Sequence, residues 1–124
     1  MNIELNHGLR RIGAVINIAA AGNANAVAML TQSTFASMVG TKTLTLKRLK
    51  FRNNAAGNTY VHIGTGLAGA VVDIIPPLYS VSGFTDDFAE GDLPDIQVDA
   101  TIMCYVDAVG GGSFDVQVEA EELG

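Results

Sequence analysis

This sequence predicts an all-β fold, an antiparallel β-sandwich, and three observations predict it. Apolar residues recur mostly at every second position rather than every 3.6. Clusters rich in Gly, Asn and Pro separate the alternating runs. No run carries the one-sided apolar stripe of an amphipathic helix. Two packed sheets satisfy that pattern, and a jelly-roll arrangement is the first choice among them, with a Greek-key sandwich and a barrel left open. The 124 residues amount to one domain. A chain of that size buries roughly two-thirds of its unfolded surface.

The N-terminal part, residues 1–25, reads as an extended arm or first strand, and 26–124 as the sandwich. Arg10-Arg11 followed by Ile12–Ala21 has the charged start and apolar middle of a secretory signal. Asn17 interrupts the apolar run, which is too short to span a bilayer. Ile12, Ala14, Ile16 and Ile18 alternate onto one side, so a strand or docking arm is the better reading, and no membrane partner is expected. Gly22–Ala26 reads as a turn. Val27–Val39 is open between a strand and a short helix.

Thr43–Arg52 alternates well, but its apolar phase slips between Leu46 and Leu49. One extra residue flips every later side chain to the other face, so a β-bulge is expected there. Asn53–Asn58 is a turn and Thr59–Ile63 the next strand. Toward the C-terminus, Ile96, Val98, Ala100, Ile102, Cys104 and Val106 share one face. After Gly110–Ser113, Phe114, Val116, Val118 and Ala120 alternate with Asp115, Gln117, Glu119 and Glu121. The two runs read as one long β-hairpin with a wet, acidic face.

Charge is sparse, at 16% of residues, and segregated by sign. All seven Lys and Arg and only one acid, Glu4, precede Asn53, for +6; twelve acids and no Lys or Arg follow, for −12, giving the net −6. Two arrangements satisfy the split: pairing within the chain, or attraction between copies of it. Few charges on a chain that is 48% hydrophobic also favour contact with other chains. The net charge and the lack of a stacking aromatic platform on the basic strand argue against a nucleic-acid partner.

Candidate chemistry is thin. Gly64-x-Gly66-x-x-Gly69 after a short apolar strand matches the dinucleotide fingerprint, which needs a helix to follow. Here the six residues Ala70–Ile75, four of them β-branched, run into Pro76-Pro77, so the glycines read as bends between strands. His7 and His62 lack close Cys, His or carboxylate partners, no metal site is expected, and His62 reads as packed or hydrogen-bonded. Asp86–Asp92 with Asp95 has oxygen ligands but not the alternating acids and closing Glu of a calcium loop. It reads as a solvated acidic loop. The single cysteine, Cys104, reads as a small buried hydrophobe. Neither a catalytic residue nor a cofactor is expected, and the chain is read as a non-enzyme.

The strings LTLKRLKFRNNAAGNTYVHIGTG, IPPLYSVSG, EGDLPDIQVDATI and GGGSFDVQVEAEEL together resemble small virion structural proteins of tailed bacteriophages. The resemblance covers Leu44 to Leu123. It implies a β-sandwich that decorates or cements the head, often as a trimer, or that builds tail and neck parts. The expected place is then the virion, and the expected partners are copies of the chain and a major capsid or other virion protein. Expected assembly residues are Ile12, Ile16 and Ile18 of the arm, Lys47, Arg48, Lys50 and Arg52 of the basic strand, and Asp99, Asp115, Glu119 and Glu121 of the acidic runs. The runner-up is a receptor- or carbohydrate-binding module of a tail fibre or spike. It has no Trp and only Tyr60, Tyr79 and Tyr105 to work with, of which Tyr105 is expected on an outer face.

Overall fold

The computed structural model describes residues 9–31, 43–89, 91–94, 97–107 and 113–123. Outside them lie Glu4, His7, residues 32–42, Glu90, Asp95, Ile96 and the glycines Gly110–Gly112. Among these described residues, ten strands form two antiparallel sheets that pack face to face: β1 (Leu9–Ile18), β2 (Val27–Leu30), β3 (Thr43–Asn53), β4 (Thr59–Thr65), β5 (Val72–Asp73), β6 (Leu78–Ser80), β7 (Thr85–Phe88), β8 (Gln97–Val98), β9 (Ile102–Val106) and β10 (Phe114–Leu123). Sheet A runs β1-β10-β3-β7, with β8 also on β3. Sheet B runs β2-β9-β4-β5, with β6 also on β4. The only other regular element among the described residues is a 3₁₀ turn, Asn23–Asn25.

Alternation places the core between the sheets. Leu44, Leu46, Leu49, Phe51, Phe114, Val116, Val118 and Ala120 come from sheet A; Val61, Ile63, Ile102, Cys104 and Val106 come from sheet B. Burial raises the Cys104 thiol to about 12, so it stays protonated and inert.

The expected bulge is present. The β3–β10 register steps from Arg48↔Glu119 to Leu46↔Ala120, leaving Lys47 as the extra residue. Leu46 and Leu49 therefore both face inward, which strict alternation forbids. Residues 9–18 form a full strand, paired with β10 from Leu9↔Leu123 to Ile18↔Phe114. Ile18 is buried, and Ile12, Ala14 and Ile16 pack against the core.

The long C-terminal hairpin is a misreading. β9 lies in sheet B between β2 and β4, and β10 lies in sheet A between β1 and β3. The run expected as one strand divides as well: β8 pairs with β3 of sheet A before β9 enters sheet B. Alternation reports which side of a strand is apolar. In a sandwich both sheets turn such a side inward, so the two runs fit opposite sheets as well as one hairpin.

Candidate functional site

The glycine fingerprint is a structural device. No helix follows Gly69; the chain turns and returns as β5. A Cβ on Gly64 would lie 2.1 Å from the Val72 carbonyl oxygen, so the close approach of β5 to β4 requires the missing side chain. Gly66 has φ 121°, a conformation L side chains rarely adopt, and a Cβ there would meet the Ala70 carbonyl at 2.7 Å. The turn is tied down by Asn23. Its Oδ1 accepts from the Gly69 and Val71 amides, and its Nδ2 donates to the Val71 carbonyl at 3.0 Å.

What remains for function is two outer faces. On sheet A the basic strand β3 lies between acidic β10 and β7, in one chain. Arg52 pairs in register with Asp115, Arg48 with Glu119, and Lys50 with Gln117 and Asp87. Arg48 Nη2 donates to Asp87 Oδ2 at 2.8 Å, and Lys47 Nζ lies 3.5 Å from Glu121. Arg11 lies 3.8 Å from Glu119 and 3.9 Å from Glu121. Hydrogen bonding from Arg48 holds the Asp87 carboxyl below its ordinary range. Arg52 donates to Asn54 and Thr85, and Asp115 accepts from Asn17 and Asn54.

The expected assembly residues are thereby placed. Lys47, Arg48, Lys50, Arg52, Asp115, Glu119 and Glu121 meet on one face. Ile12, Ile16 and Ile18 lie on the opposite, inward side of the same sheet. Asp99 stands apart, exposed between β8 and β9. The described acids of this run do not converge: Asp86 and Asp87 belong to β7, and Asp92 accepts from the Ala89 amide.

Sheet B presents other chemistry. Tyr60 and Tyr79 are register partners on β4 and β6, with ring centroids 5.2 Å apart. Beside them His62 stacks flat on Tyr105 of β9, at 4.4 Å and 0°. His62 Nδ1 lies 3.0 Å from Asp73 of β5, and its Nε2 lies 3.0 Å from Asp107, one residue past β9. Burial pulls the His62 pKa down, but hydrogen bonds and charge from Asp107 and Asp73 outweigh it, and the net shift is upward. Residue spacing hid this group, because its partners are 11 and 45 positions away. The available signal was a histidine at an outward position of an otherwise apolar strand.

Among the described residues, six of the seven large exposed hydrophobics lie on β4–β6 or the loops around them: Tyr60, Leu67, Val72, Tyr79, Val81 and Phe84. The seventh, Val15, is on β1. Every described Lys and Arg belongs to sheet A.

No protein-family model and no curated protein sequence matches this chain. Among solved structures, one similar chain belongs to the cyanophage Pam1 capsid asymmetric unit, at 9% identity and a TM-score of 0.47. That alignment covers 92% of this chain and 83% of the other.

Proposed function

We propose that the chain is a non-enzymatic structural subunit of a virus particle. In this reading it is a head decoration or cement protein that binds copies of itself, as a trimer, and a major capsid or other virion protein. The observation that carries the reading is the concentration of exposed apolar side chains on β4–β6 and the loops around them, from Leu67, 82% exposed, to Val81, 37% exposed. Exposed large apolar side chains gathered in one region of the surface favour a contact with another macromolecule. The charges of sheet A support it from the other side, since most of those described have partners within the chain and the apolar side chains of sheet B are left as the adhesive ones.

The strand order also supports the reading. Counting β5 with β6 and β7 with β8, the sheets run 1-8-3-6 and 2-7-4-5, the wrapping of a jelly roll, an architecture common in capsid proteins. The sequence resemblance to tailed-phage virion proteins points the same way. Neither nucleic acid nor a membrane has a part in this reading. Native mass spectrometry of the full chain tests it: a trimer that Tyr60→Ser and Tyr79→Ser weaken supports the contact face. A wild-type chain that stays monomeric at all concentrations removes self-assembly from the reading.

One observation favours a second reading, a receptor- or carbohydrate-binding module. All three tyrosines lie on the outer face of sheet B, with Asn58 donating to the Tyr79 hydroxyl at 2.9 Å and two aspartates nearby. Ring faces and hydroxyl acceptors are what a sugar would meet there. A glycan array probed with the monomeric double variant and with wild type separates the two readings. Binding by wild type alone favours the module, and no binder retires it.

A further inference from the structure

We propose that His62 is a protonation-dependent clamp, which as an imidazolium ties Asp73 of β5 to Asp107 at the end of β9 and on losing its proton lets Asp107 go. The inference concerns a single folded chain and does not depend on the assembly reading.

The geometry itself assigns the charge. Both ring nitrogens lie 3.0 Å from a carboxylate oxygen, and a carboxylate only accepts hydrogen bonds. A neutral imidazole has one N–H, so it satisfies one aspartate and turns a lone pair toward the other. Only the imidazolium donates to both. The ring is held in place for this, with 13% of its side chain exposed and its face against Tyr105.

The groups facing His62 are Asp73 from β5 and Tyr105 and Asp107 from β9 and its end. Asn23, beside Tyr105, carries no charge. Tyr105 stays neutral through the relevant range, its pKa raised by burial and by the charge of Asp73. The two carboxylates thus set the titration, consistent with the upward shift of His62. When the proton leaves, the less exposed partner keeps the remaining N–H. Asp73 has 33% of its side chain exposed and Asp107 has 51%, so water takes Asp107 at the lower cost.

The consequence is mechanical as well as electrostatic. β5 contributes two register pairs to β4, Gly64↔Asp73 and Thr65↔Val72. The end of β9 is held by the Asp107 amide on the Tyr60 carbonyl at 3.2 Å and by Thr59 Oγ1 on the Asp107 carbonyl at 3.1 Å. His62 therefore spans β4 from one flanking strand to the other, and its charge state sets whether both are joined.

The test is an NMR titration of the full-length protein between pH 5 and 9, following both ring nitrogens of His62 and assigned with His62→Gln. Both nitrogens should be protonated at pH 6, with a midpoint above the ordinary value of about 6.5. The midpoint should fall in Asp107→Asn and in Asp73→Asn. The Asp107 carboxyl and the Tyr60 and Asp107 amides should shift with the same midpoint, and those shifts should vanish in His62→Gln. A midpoint at or below 6.5, or a midpoint that neither Asn variant moves, overturns the clamp. So does a response at Asp107 that persists in His62→Gln. Asp107 lies at an exposed strand end, so its variant keeps the test open even if Asp73→Asn fails to fold.

Discussion

On the outer face of sheet A, Arg48 meets Asp87 and Lys47 meets Glu121; across the sandwich, Tyr60 meets Tyr79 and His62 lies flat on Tyr105. The backbones beneath are alike, antiparallel ladders around a shared core, so the difference lies wholly in the outward half of each strand. Sheet A uses that half to satisfy its own charges. Sheet B leaves apolar rings and a carboxylate-flanked histidine facing outward. In this chain, the two outer faces differ in surface composition rather than in fold.

The sharpest way to break the comparison is at the edges of the two sheets. Gly64→Ala puts a Cβ 2.1 Å from the Val72 carbonyl, a backbone atom that can yield only if β5 moves. A loss of about 1–3 kcal/mol is expected, the usual cost of overpacking, read as a lower urea midpoint. Gly13→Ala on β1 is the matched change in sheet A. Its Cβ would lie 3.1 Å from the Val118 carbonyl, so a smaller loss is expected.

Tyr79→Ser and Tyr60→Ser sharpen the contrast in binding rather than folding. Tyr79 is 53% exposed and Tyr60 46%, so folding should survive. Self-association should weaken by about tenfold or more for each, the scale of an interface aromatic worth about 1.4 kcal/mol or more. Concentration-dependent sedimentation reads it. An unchanged association would move the contact off sheet B.

Opposite pH limits are the next distinction. The Asp87 pKa is lowered in the folded chain, so its contribution is present above the unfolded value and lost as pH falls through the folded one. The His62 pKa is raised, so its contribution is complete below about 6.5 and lost as pH rises through the folded value. Urea midpoints between pH 6 and 8.5 should fall in wild type and stay flatter in His62→Gln. The smallest effect belongs to Arg48→Ala. Its guanidinium pairs with Asp87 in open solvent, so no resolved change in thermal midpoint is expected at physiological salt.

Much of this fold was legible in the sequence, and the legible parts share a cause. The phase slip placed the bulge between Leu46 and Leu49, because burial enforces facing residue by residue, and the register puts the extra residue at Lys47. The β-branched run before Pro76 marked the glycine fingerprint as a turn. Strand partnership was not legible. The β9 and β10 runs alternate as a hairpin would, and only the crossing between sheets separates them. The charge split left pairing within or between chains open, since either satisfies it. The register of β3 with β10 and β7 brings those charges together in one chain. The His62 group was hidden for a related reason: β4, β5 and the end of β9 bring together residues 11 and 45 positions apart, and no local spacing signals it.

Copies of this chain are proposed to meet through the exposed apolar side chains of sheet B, with the charges of sheet A paired within the chain. Absolute mass by light scattering, at low salt and at about 0.5 M, where the screening length is roughly 4 Å, tests it most directly. One discrete oligomer is expected, the same at both salts. A monomer throughout, or an oligomer that salt dissolves, would contradict it.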